Sequence, residues 1–111
     1  MEIKTKQLKH CDLITIKGRV DSYTASKVTE ALDTSNKEGH FKIVLDLSGV
    51  EYMSSAGFRA LLLGQRNCKR YNRGEVVLAA VPKRIYEAFD LTGFAPLFKM
   101  YEDTVAAVGS F

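Results

Sequence analysis

Tryptophan is absent from this chain, and cysteine, histidine and proline occur only twice each. Each scarcity removes a class of explanation. Cys11 and Cys68 are far apart and lack the paired spacing of a zinc site, so they read as two small apolar residues and no metal is expected. His10 and His40 each fall in a predicted turn among charged or polar neighbours, and both read as solvated turn residues. Asp46 and Asp90 have no evident carboxylate partner, which acid–base chemistry would require. A G-x-S-x-G elbow, a Walker loop and a G-x-G-x-x-G turn are all missing. The expectation is therefore no enzyme, no catalytic residue and no cofactor. No apolar run approaches the roughly 20 residues that cross a bilayer. The opening segment MEIKTKQLKH is charged and alternating, unlike a secretory leader. A cytoplasmic protein without a membrane partner is expected. The 16 basic and 13 acidic residues leave a net charge of +3, too small to imply direct nucleic-acid binding.

What is present is a globular balance. The 111 residues are 46% hydrophobic and 26% charged, enough for one domain with a core of its own. IKTKQL and DLITIKG read as two short strands with a turn near residues 10–12, the second ending at Gly18. YTASKVTEALDTS reads as a helix with Ala25, Val28, Ala31 and Leu32 on one face and Ser22 or Thr24 as its cap. KIVLDL and EVVLAAV are nearly continuous and rich in branched residues, as strands covered on both faces are. Between them AGFRALLLGQRNCKRY places Phe58, Leu61, Leu62, Gln65 and Cys68 at helical spacing, with Gly74 as the stop. Gly64 inside this helix reads as a point of close packing on the sheet. Pro82 opens a third helix with Ile85, Ala88 and Phe89 inward, and Gly93 ends it. LFKMY reads as a last strand, and Asp103 as the cap of a final helix, TVAAVGSF. The order is β-β-α-β-α-β-α-β-α: one α/β domain over 1–111, a mixed sheet with central parallel strands and about four helices.

The stretch VEYMSSAGF carries the functional question. Serine is a favoured N-cap, so either Ser54 or Ser55 is accounted for by capping the helix that follows. The surroundings suggest more. Gly57 leaves the backbone beside Ser55 open, and Met53 and Phe58 offer apolar flanks for docking. The carboxyl end of a parallel strand is also where α/β folds place their sites. A phosphate here would add about −1.5 to −2 charges near neutral pH. A helix N-terminus tolerates that anion, whereas a protein docked on the hydroxyl does not.

The stretch LDLSGVEYMSSAGFRALL resembles the signature of STAS domains, in particular the bacterial anti-sigma-factor antagonists. IKGRVDSYTASKVTEAL is similar to the family's other recurrent segment, a strand ending in glycine, then an aspartate, then the first helix. The likeness runs along essentially the whole chain and implies a single STAS domain over 1–111. In that family the phosphorylated serine follows a D-S-S-G or D-S-T-G pattern. Met53 keeps its place here, Ser54 stands at the aspartate, Ser55 at the phosphoacceptor, Ala56 at the second hydroxyl and Gly57 at the glycine. Ser55 is thus the expected acceptor and Ser54 the second candidate. The resemblance implies partner switching. The unmodified protein binds an anti-sigma factor that is itself a serine kinase, and so frees the sigma factor. Phosphorylation of Ser55 releases it, and a serine phosphatase resets it. The implied contact surface joins Asp21, Tyr23 and Thr24 to the turn Met53, Ser54, Ser55, Ala56, Gly57 and Phe58.

Three rival readings stand beside this one. A serine at a strand-to-helix turn is where some hydrolases keep their nucleophile, though such a serine needs a base and an orienting group. Arg59, Arg66, Arg70 and Arg73, with Lys69, recur along one helical stripe, which reads as a solvated face, as a nucleic-acid surface or as a meeting point for an acidic partner. The domain is also compatible with a STAS interaction or ligand-binding module that is never phosphorylated.

Overall fold

The computed structural model describes all 111 residues. The strands are β1 (Glu2–Gln7), β2 (Asp12–Val20), β3 (Lys42–Met53), β4 (Glu75–Ala79) and β5 (Met100–Tyr101). The helices are α1 (Ala25–Lys37), α2 (Ser55–Lys69), α3 (Lys83–Leu91) and α4 (Thr104–Gly109). The strands form one sheet in the order β1-β2-β3-β4-β5. β1 pairs antiparallel with β2, and β2 through β5 run parallel, as the helical crossovers require. None of the helices is long and apolar enough to cross a membrane.

The two faces of the sheet are unequal. α1, α2 and α3 cover one face, where Ile14, Ile16, Ile43, Leu45, Leu47 and Leu78 are buried with Leu32, Leu61 and Phe89 from the helices. Phe58, Phe89 and Phe98 stack edge to face within this layer, at centroid separations of 4.9 and 5.3 Å. The other face buries a smaller cluster of Cys11, Val44, Val77 and Ala79 under Ala107 of α4. Both cysteines are buried, and desolvation pushes both thiols up from their ordinary pKa.

Several expectations need correction. Gly18 does not end β2; its φ of +98° bends the strand, which continues to Val20. β3 runs on past Leu47 to Met53, with register shifts opposite Thr15–Lys17 and Gly18–Arg19. Two bulges each absorb an extra residue of β3, so Leu47, Val50 and Met53 all reach the core at a spacing of three. Gly64 packs on a helix, not on the sheet: a Cβ there would lie 2.6 Å from Leu32 Cδ1 of α1. α2 stops at Lys69, so the arginine stripe is broken. Arg73 lies outside the helix, stacked 3.8 Å over the Phe41 ring and donating to the Asn67 and Arg70 carbonyls. The last strand shrinks to Met100–Tyr101, with a 3₁₀ turn at Ala95–Leu97 before it.

Candidate functional site

The site lies at the carboxyl end of β2 and β3. Val20 and Met53 are register partners, and the Ser54 N–H continues the ladder to the Val20 carbonyl at 2.8 Å. That bond sets the loop after Val20 beside the turn after Met53. The structure therefore brings together the two segments whose resemblance to the STAS family implied a common surface.

Within the turn the two serines have different roles. Ser54 is the N-cap, extended at φ −81° and ψ 173°, and its Oγ accepts from the Gly57 N–H at 3.4 Å. Its carbonyl accepts the Phe58 N–H at 3.1 Å. Ser55 is the first residue of α2, is exposed, and its hydroxyl makes no hydrogen bond within the chain. The sequence left the cap open between the two; the backbone assigns it to Ser54 and leaves Ser55 free.

The apolar residues of the turn lie beneath the surface. Met53 and Phe58 are each 5% exposed, so they form the floor of the turn and offer no flank for docking. Gly57 is also buried. A Cβ at that position would lie 2.6 Å from Met53 Cγ and 2.9 Å from Val20 Cγ1, so glycine is needed for packing and not for an open backbone. Ala56 is partly buried against the same core.

The neighbouring loop is held by Asp21. One carboxylate oxygen accepts the Tyr23 N–H at 2.9 Å and the Thr24 N–H at 3.1 Å. These bonds favour the charged form and hold the Asp21 carboxyl below its ordinary pKa. Thr24 Oγ1 accepts from the Asp21 N–H and donates to the Arg19 carbonyl, each at 2.9 Å. Thr24 occupies the N-cap position of α1 without making a side-chain cap bond, so the expected Ser22 or Thr24 cap is replaced by the Asp21 turn. The loop thereby presents Tyr23, whose side chain is 88% exposed. Arg19 lies 4.5 Å over the Tyr52 ring on the neighbouring strand. This pair was not anticipated, because both residues lie on strand extensions that the bulges hide.

At the opposite end of the sheet a cavity of about 220 Å³ opens beside Asp12 and His40. His40 is not simply solvated: its Nδ1 lies 3.1 Å from the Asp12 carboxylate, which is buried. Gln65, foreseen only as part of a helix face, bridges α2 to the sheet. Its Nε2 donates to the Val76 and Leu97 carbonyls at 3.0 and 2.8 Å, and its Oε1 accepts the Val76 N–H at 2.7 Å. A glutamine inside an apolar helical stripe was the available signal for this role. No set of three or more histidine, cysteine or acidic side chains is placed to hold a metal ion.

A family model described as the STAS domain matches residues 2–107. The anti-sigma-B factor antagonist of Listeria monocytogenes is 31% identical over 100 residues, covering 90% of this chain and 86% of that protein. An anti-sigma factor antagonist from Mycobacterium paratuberculosis has a similar structure, with a TM-score of 0.87 at 20% identity over 98% of this chain and 92% of that one. SpoIIAA of Bacillus in its phosphorylated form gives a TM-score of 0.77 at 15% identity, covering 98% of each chain. Its unphosphorylated form gives the same TM-score.

Proposed function

The chain belongs to the STAS domain family, and from that membership we propose that it is an anti-sigma-factor antagonist switched by phosphorylation of Ser55. The unmodified protein docks on an anti-sigma factor that is a serine kinase, and the sigma factor is freed. The Ser55 hydroxyl oxygen then attacks the γ-phosphorus of ATP held by that kinase. ADP leaves, the hydroxyl proton passes to a base on the kinase, and the antagonist is released. A serine phosphatase hydrolyses the ester and restores the hydroxyl. The chain is the substrate and switch of this cycle. ATP and magnesium belong to the partner, and the cytoplasm, where sigma factors act, is its compartment.

One observation carries this reading: Ser55 is an exposed hydroxyl that the fold does not use, one residue beyond a serine that the fold does use. A phosphate on Ser54 would sit on the oxygen that caps the helix and crowd that bond to the Gly57 N–H, whereas one on Ser55 disturbs no hydrogen bond. The helix N-terminus tolerates the added charge. A partner packed on the hydroxyl meets a hydrated dianion instead, and even a few kcal/mol of repulsion changes affinity by orders of magnitude. The docking surface consists of Asp21, Tyr23, Thr24, Ser54, Ser55 and Ala56, with Met53, Gly57 and Phe58 as its buried support.

The test is site mapping. The protein is incubated with its anti-sigma kinase and ATP, and the phosphate is located by tandem mass spectrometry in wild type, Ser54→Ala and Ser55→Ala. The expected result is one phosphate, on Ser55, lost only in Ser55→Ala. Modification that survives Ser55→Ala removes Ser55 as the acceptor, and a domain that binds its partner and is never modified removes the phosphoswitch.

A further inference from the structure

The resemblance that points to Ser55 says nothing about what holds the phosphate once it is there. On α2, Arg59 stands four residues after Ser55, so the two side chains lie on one face of the helix about 5–6 Å apart at Cβ. The anion is N-terminal to the cation, the favourable order at this spacing. Both residues are exposed. Arg59 joins none of the chain's salt bridges and stacks on no aromatic ring. α2, SAGFRALLLGQRNCK, contains no acidic residue that would compete for the guanidinium. Arg19, on the neighbouring strand, is already engaged over the Tyr52 ring.

The geometry points to Arg59 as an intramolecular clamp that holds the phosphate of phosphorylated Ser55 through its guanidinium fork. This rests on Ser55 being the acceptor, and it deepens that reading by naming what fixes the modified side chain. A guanidinium matches two phosphate oxygens at once, which an ammonium does not. The phosphate is thereby held along the helix in one orientation, and part of its charge is balanced within the domain. Ser54 does not share this arrangement. It lies five residues before Arg59, off that face, and its oxygen is committed to the cap.

The test needs no kinase. Phosphoserine is installed genetically at position 55, and its second ionisation is followed by ³¹P NMR in wild type and in Arg59→Gln. A clamped phosphate favours the dianion, so its pKa falls below the ordinary value of about 6, and Arg59→Gln is expected to raise it by about 0.5 unit. Phosphoserine at position 54 serves as the control and is expected not to respond to Arg59→Gln. An unchanged pKa at position 55, or an equal response at position 54, overturns the clamp. Either result leaves the phosphoswitch standing. Failure of phosphorylation to weaken partner binding would remove the switch and leave the titration as it was measured.

Discussion

The two ends of the parallel sheet both carry polar side chains, and they treat them in opposite ways. At the amino end the polar groups are consumed by one another. Asp12 meets His40, and Gln65 satisfies three backbone groups at Val76 and Leu97. At the carboxyl end Ser54 is used in the same manner, but Ser55 beside it is left over. Buried polar groups are costly when unpaired, and every side-chain nitrogen and oxygen that the fold buries has a partner. A hydroxyl that the fold exposes and does not use is free to be modified without loss of structure. The contrast separates the side chains that hold the domain together from an exposed hydroxyl, Ser55, that the fold leaves unbonded.

Substitutions at each end sharpen the contrast. The largest effect is expected at Gln65. Gln65→Leu strands the Val76 N–H and two carbonyls and is expected to cost about 3 kcal/mol in urea unfolding. Ser54→Ala comes next. Loss of the cap is expected to cost about 1 kcal/mol by the same measurement, with Ser55 still phosphorylated. The smallest effect is at Ser55. Ser55→Ala is expected to leave stability within about 0.5 kcal/mol of wild type while abolishing phosphorylation. A Ser55→Ala protein as destabilised as Ser54→Ala would erase the distinction between the two serines.

The sequence pattern was enough for most of the fold. Nearly continuous apolar runs marked the buried strands, Gly93 with its φ of +78° closed α3, and Asp103 capped α4 through the Ala106 N–H at 2.8 Å. What stayed hidden had physical causes. The two bulges put Leu47, Val50 and Met53 at a spacing of three, which broke the strand's period of two, so β3 looked half its length. The Asp12–His40 pair spans 28 residues, and local pattern carries no information about such a meeting. Met53 and Phe58 looked like docking flanks because hydrophobicity alone does not tell a buried residue from an exposed one. Gly57 looked like an opening because its tight fit against Met53 and Val20 exists only after β2 and β3 have paired. The serine pair was legible as a candidate site, and the division of labour within it was not. That division depends on the Ser54 backbone, which the ladder bond to Val20 fixes.

The most direct measurement is the affinity of this domain for the anti-sigma kinase proposed as its partner, with Ser55 either bare or stoichiometrically phosphorylated, by titration calorimetry at one ionic strength. We predict that the phosphorylated form binds at least about 100-fold more weakly, a penalty near 3 kcal/mol, while its circular dichroism spectrum matches that of the bare form. Equal affinities, or a loss of affinity accompanied by loss of the fold, would contradict the account.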